Sequence, residues 1–247
     1  MTQYLHTVTL PSRARIYDPA LNIPEEFTLR AMTTQEEKIL YGSTSEKALD
    51  AVIKACIVEP KDINLDHLIL PDKHFLMMQL RIHTYGSDYH VSYKCPYCGH
   101  ADEYKIDLEE LTVHELPEDF QEPIKFKLPV SGDELAIRLL RGTDLDAIER
   151  KAKRFKRNLS NVTGDITYIF RMVRYIQAIN GEELNEGQIQ GYVEKMHARD
   201  AAYFWHQINK IQVGYDTTVT VDCTGCGEEL EFTLPITAEF FRPKFDD

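Results

Sequence analysis

The chain has 247 residues, 43% of them apolar and 28% charged, enough for one large domain or two small ones with a real core and unlike a disordered, collagen-like or membrane chain. Lys and Arg number 28 against 40 Asp and Glu, a formal charge of −12, which argues against a nucleic-acid partner held by phosphate neutralisation.

The amino terminus, MTQYLHTVTLPSRARIYDPA, has no apolar core of signal-peptide length. No stretch approaches the roughly 20 apolar residues of a bilayer span. A soluble chain made in a reducing compartment, with no membrane partner, is expected, and its first 24 residues read as an arm. Glu26 to Arg30 then reads as a strand, followed by a capped helix start at Thr34 with Glu37 three residues on. In SEKALDAVIKACIVEP, Cys56 shares a helix face with Leu49, Val52 and Ile53, as a buried small hydrophobe would. Asp72 is an N-cap candidate before the stripe of Phe75, Leu76, Gln79 and Leu80, and Gly86 falls where that helix should stop. An alternating strand (Tyr89, Val91, Tyr93), the turn Cys95-Pro-Tyr-Cys98-Gly and a returning strand (Tyr104, Ile106, Leu108) complete a first module over residues 25–110.

A second module is expected over 130–236. Glu134 to Arg138 reads as a strand and Thr143, with Asp146, as a helix start. A helical insertion near 150–190 contains RKAKRFKR (Arg150 to Arg157), the main cationic cluster, more simply a solvated helix face than a patch for an acidic partner. Asp200 then repeats the cap, Tyr203, Phe204, Gln207 and Ile208 the stripe, Gly214 the stop, and Cys223-Thr-Gly-Cys226-Gly the turn between strands marked by Thr217, Val219, Val221 and Leu230, Phe232, Leu234. The tail, 237–247, puts three Phe beside Pro and charge. It either packs back on its own core or docks on a neighbour.

The two modules are copies. Residues 72–99 and 200–227 align at a constant offset of 128, with eight of 28 positions identical, including both cysteine pairs. The fold class expected is α+β, an internally duplicated module of strand, helices and β-hairpin whose two hairpins join in a zinc-ribbon-like four-cysteine site. Two thiolates three residues apart on a tight turn occupy adjacent vertices of a tetrahedron, so one turn provides half a site and two provide a closed one. Cys95, Cys98, Cys223 and Cys226 are therefore the candidate metal ligands and Zn2+ the candidate cofactor, in a structural role because no coordination position stays open. His83, His90 and His100 flank the first turn as possible replacements. Two competing readings stand: Cys-Pro-Tyr-Cys is also a glutaredoxin active-site string, which needs a low-pKa thiol at a helix start, and the turns are otherwise relics that hold no metal.

No phosphate loop, nucleophile elbow, His-Glu-x-x-His pair or dinucleotide fingerprint occurs, and acidic pairs such as Glu36-Glu37 and Glu109-Glu110 are adjacent rather than convergent. A non-enzyme without a small-molecule substrate is expected. The LPSRARIY segment (Leu10 to Tyr17), the FTLRAMTTQEEKIL block (Phe27 to Leu40), the LMMQLRIHTYGSDYHVSYKCPYCG block (Leu76 to Gly99) and the length resemble the baseplate hub subunits and hub-assembly proteins of T-even-like contractile-tailed bacteriophages. That resemblance implies a virion or assembly protein of the tail baseplate, assembled in the host cytoplasm and acting through contacts with other baseplate or hub proteins. It also implies that zinc is an accessory staple, since several members of that family lack one or both cysteine pairs. The alternatives are a zinc-ribbon adaptor for nucleic acid or the transcription machinery, and a tail-assembly chaperone absent from the mature virion.

Overall fold

The computed structural model describes residues 4–43, 46–158, 165, 167–234 and 238–241. It is mixed α+β, as expected, with several small sheets and, among the described residues, seven α-helices. The chain divides into two compact units, one of residues 1–63, 71–116 and 213–247 and one of 64–70 and 117–212. No described helix is long and apolar enough to cross a membrane.

In the first unit, β1 (Leu5–Thr9), β2 (Glu26–Arg30) and β3 (Ile57–Glu59) form an antiparallel sheet in that order. The expected arm over 1–24 therefore needs correction. Its residues 5–9 pair with β2 through five register positions, from Leu5 opposite Arg30 to Thr9 opposite Glu26, and Val8, Leu10 and Tyr17 are buried. Helix α1 (Thr34–Gly42) is capped one residue earlier than expected: the Thr33 side chain accepts from the helix amides while the Glu36 carboxylate accepts the Thr33 N–H at 2.8 Å. Arg30 grips the same carboxylate with both terminal nitrogens, at 2.8 and 3.2 Å. That fork outweighs burial and, with the Thr33 bonds, holds the Glu36 carboxyl down at about 2. Helix α2 (Glu46–Cys56) buries Leu49, Val52, Ile53 and Cys56, the stripe read from the sequence, and burial pushes the Cys56 thiol up to about 12.

Helix α3 (Leu70–Tyr85) buries Phe75, Leu76, Met78 and Leu80. It also buries Arg81, whose guanidinium donates to the carbonyls of Phe240, Gly86 and Asp88, so the charge is solvated by backbone. The hairpin of β4 (Asp88–Lys94) and β5 (Ala101–Asp107) follows with unbroken register, then β6 (Val113–His114).

The second unit holds β7 (Ile124–Lys127), β8 (Glu134–Ile137), α4 (Gly142–Asn158), α5 (Thr167–Tyr175), β9 (Ile176–Ile179), β10 (Glu182–Glu183), α6 (Glu186–Val193) and α7 (Ala198–Asn209). Its sheet runs β10-β9-β8-β7, all antiparallel. The core beneath it gathers Leu128, Leu135, Ile137, Met172, Val173, Ile189 and Phe204. The expected cap at Thr143 shifts as in the first unit: the Asp144 carboxylate accepts the Arg141 N–H at 2.9 Å and takes the Arg138 fork at 2.7 and 2.9 Å. The basic run on α4 is a helix face paired with acidic neighbours, Lys151 with Glu186 and Lys153 with Glu149. The side chains of Lys156 and Arg157, like residues 159–164 and 166 of the expected insertion, lie outside the described residues.

The chain then returns to the first unit with β11 (Gly214–Tyr215), paired to β6, and the hairpin of β12 (Thr218–Asp222) and β13 (Glu229–Thr233). This division cuts across the expected 25–110 and 130–236 modules, because the second hairpin packs with the first while α7 packs in the second unit. Gly214 does not end α7, which stops at Asn209. It opens β11 at φ +85°, where a Cβ would lie 3.2 Å from Pro71 Cβ and 3.3 Å from the Pro71 carbonyl.

Asp72 and Asp200 are not N-caps either. Each is the third residue of its helix, and its buried carboxylate anchors a loop rather than its own helix end. Asp72 accepts from the Ser12 N–H at 3.0 Å and from the Ser12 and Tyr17 hydroxyls. Asp200 accepts the Val130 and Ser131 N–H groups at 2.8 and 3.0 Å. In the carboxyl tail, Phe240 and Phe241 are buried in the first unit, Phe240 edge-on to Tyr89 with ring centroids 4.9 Å apart. The aromatic tail thus packs on its own unit as far as residue 241, and 242–247 lie outside the described residues.

Candidate metal centre

Both Cys-x-x-Cys turns sit at hairpin tips and fold alike. The Cys95 N–H donates to the His100 carbonyl at 2.8 Å and the Gly99 N–H to the Cys95 carbonyl at 3.0 Å. The Cys223 N–H donates to the Glu228 carbonyl at 2.9 Å and the Gly227 N–H to the Cys223 carbonyl at 2.8 Å. Gly99 and Gly227 stand at φ +75° and +74°, the left-handed geometry that closes each turn. Strand register continues to the turns, with Lys94 opposite Ala101 and Asp222 opposite Glu229.

The hairpins meet on their apolar faces. Tyr93 stacks on Phe232 with centroids 4.3 Å apart and planes 14° from parallel, and Tyr104 tilts against the same ring. Val91, Tyr104, Val219 and Leu230 are buried. This contact brings together all four cysteines read from the sequence, although Cys98 and Cys223 are far apart along the chain. Their sulfurs lie within 4.8 Å of one another, with Cys95 to Cys226 at 3.9 Å and Cys98 to Cys223 at 3.7 Å. A disulfide requires a sulfur separation of about 2.05 Å, so these are four free thiols. Four thiolates about 2.3 Å from one tetrahedral ion stand about 3.8 Å apart, and the donor set fits such an ion.

Cys95 and Cys223 are buried, whereas Cys98 and Cys226 face solvent. Burial opposes ionisation of Cys223, but the Cys226 and Gly225 N–H groups and the neighbouring thiols outweigh it and bring Cys223 down to about 6. For Cys226 the Glu228 N–H favours the thiolate, but hydrogen bonding of the Cys226 S–H to Cys98, burial, and the Cys223 and Cys95 sulfurs push it up to about 12. Crowded sulfurs of this kind share protons until a cation replaces them.

Among the described residues none of His83, His90 and His100 joins the four-sulfur group. His83 stacks on His6 with centroids 5.3 Å apart. The stretch after Cys98 is strand β5, so the helix start that glutaredoxin chemistry needs does not follow this turn.

Sequence reasoning missed the residues between the two turns. The Thr224 hydroxyl donates to Asp102 Oδ2, and His100 lies against Gly225, where a Cβ would stand 2.9 Å from both Cβ and Cγ of His100. The signal available was a mismatch: within otherwise repeating turns, Pro96-Tyr97 is replaced by Thr224-Gly225.

No curated protein and no solved structure matches the chain. The model of the family described as T4 bacteriophage base plate protein matches residues 1–242, nearly the whole length, and the chain belongs to that family, a component of the phage tail.

Proposed function

We propose that the chain is a non-enzymatic structural or assembly subunit of the tail baseplate, placed at the hub, that acts through contacts with other baseplate or hub proteins and carries one Zn2+ as a staple between its hairpins. The family match over residues 1–242 carries this reading. The four-sulfur group supports the metal: Cys95, Cys98, Cys223 and Cys226 supply soft donors suited to zinc, and with all four vertices filled by sulfur the ion has no open position for Lewis-acid chemistry. The expected absence of catalysis, of small-molecule substrate and of nucleic acid belongs to the same proposal, as does assembly in the host cytoplasm.

We also read the chain as a duplicated module. In this reading β1, β2, α1, α2, β3, α3 and the first hairpin are answered by β7, β8, α4, α5, β9, α7 and the second, with β10 and α6 added. Matched details favour it: the offset of 128 residues, the Arg fork on a carboxylate six residues on (Arg30 to Glu36, Arg138 to Asp144), and the third-position aspartates that anchor Ser12 and Val130-Ser131.

The test is to probe purified virions for the chain and to identify what co-purifies with it from infected cells. Presence in virions together with baseplate proteins is expected. Association with baseplate proteins but absence from virions would make it an assembly chaperone. A salt-dependent shift of DNA or RNA with no baseplate protein bound would overturn the reading in favour of a zinc-ribbon adaptor.

A further inference from the structure

The two turns of the metal centre are alike in backbone but not in what they touch. Thr224 reaches Asp102, and Gly225 receives His100. At the offset of 128 the reciprocal positions are Pro96, Tyr97, Glu228 and Leu230. Proline has no hydroxyl to donate, leucine has no side-chain oxygen to accept, and Tyr97 projects into solvent at 70% exposure. The contact between the hairpins is therefore one-sided, and none of its members is a sulfur.

We infer that this contact, together with the Tyr93–Phe232 stack, is a metal-independent lock that assembles the four-sulfur cage before metal binds, and that Gly225 is a positioning residue for the metal although it offers no ligand atom. The inference rests on the metal reading proposed above. Its physical chain is short. The His100 carbonyl accepts the Cys95 N–H at 2.8 Å, so the backbone of His100 is tied to a ligand. A methyl group at position 225 would stand 2.9 Å from His100 Cβ, too close for the ring alone to swing away, so either the His100 backbone yields and takes Cys95 with it, or the turn at 225 yields and takes Cys223 and Cys226. A four-sulfur site tolerates little such displacement, and loss of groups that orient ligands lowers metal affinity by about 10- to 100-fold.

The experiment uses the full chain, stripped of metal by a chelator under reducing conditions and titrated with Co2+, which reports four-thiolate binding through its charge-transfer and visible bands. Gly225→Ala is expected to bind Co2+ about 10- to 100-fold more weakly than the wild type. Thr224→Val should weaken binding as well, whereas Thr224→Ser, which keeps the hydroxyl, should restore it. The second readout is the metal-free protein itself: amide NMR shifts of Tyr93, Val219 and Phe232 should keep their dispersed, folded positions. Wild-type affinity in folded Gly225→Ala, or collapse of those shifts without metal and their return with Co2+, would overturn the inference. If Gly225→Ala does not fold, the Thr224 pair decides. A wild-type chain that binds no Co2+ refutes the metal reading and with it the role of Gly225, while the amide shifts of that same protein still decide whether the lock exists.

Discussion

Replacing Glu36 by Gln tests the energetics of the first unit with a sign that depends on pH. The carboxylate is 6% exposed, held by both terminal nitrogens of Arg30 and by the Thr33 N–H and hydroxyl. The Arg30 fork is the main cause of its pKa falling from 4.5 to about 2 on folding. At about 1.4 kcal/mol for each tenfold change in proton affinity, that fall corresponds to about 3 kcal/mol of stability at neutral pH. Because the folded pKa is depressed, the contribution is fully present above pH 4.5 and is lost as pH falls from there towards 2. Gln removes it at every pH. Urea unfolding followed by far-UV circular dichroism should thus show the variant about 3 kcal/mol less stable at pH 7 and only about 1 kcal/mol less stable near pH 2.5. Acid release of any bound metal affects both proteins alike and drops out of the difference. A gap between the two proteins that is as large at pH 2.5 as at pH 7 would refute the reasoning, since an uncharged packing defect does not titrate.

Three further outcomes follow from named contacts. Asp200→Asn leaves one of the Val130 and Ser131 N–H groups without its acceptor and should cost about 1–3 kcal/mol, read by the fluorescence of Trp205, the one tryptophan of the chain, which packs against the core of the same unit. Phe240→Ala removes a fully buried ring that meets Tyr89 and lies under Arg81, and should lower stability by about 3 kcal/mol or more and speed proteolysis of the carboxyl tail. An unchanged midpoint would show that the tail does not contribute to the core. Asp144→Asn, which weakens the Arg138 and Arg174 contacts on a fully buried side chain, should reproduce the acid-dependent loss expected for Glu36, because burial raises this carboxyl but the Arg138 and Arg141 N–H bonds and the Arg138 and Arg174 charges together outweigh it and depress it.

The two hairpins were legible in the sequence because alternation over short strands meets a Cys-x-x-Cys-Gly turn whose geometry admits few alternatives, and the strands lie where the alternating residues were read. The α2 stripe was legible for a similar reason, since Leu49, Val52, Ile53 and Cys56 fall at helical spacing. β1 was not, because five residues containing one buried side chain, Val8, carry too little periodicity to separate a strand from a polar end. The caps were misplaced because adjacent Thr33 and Thr34, each with a glutamate three residues on, offer two registers, and only the Arg30 fork chooses Glu36. Asp72 and Asp200 looked like caps because an aspartate before an apolar stripe has that signature, and the loop amides they bind instead are distant in sequence. The Cys-x-x-Cys spacing singled out the four cysteines that the fold brings together, yet it did not show that pairing the hairpins would place the second in the first compact unit.

The central claim, that four thiolates staple the two hairpins around one ion, is tested most directly by the metal content of the full chain purified without chelator. Elemental analysis should give close to one zinc per chain in the wild type and close to none in Cys95→Ser/Cys223→Ser. A wild-type chain that is folded, reduced and free of metal would contradict it.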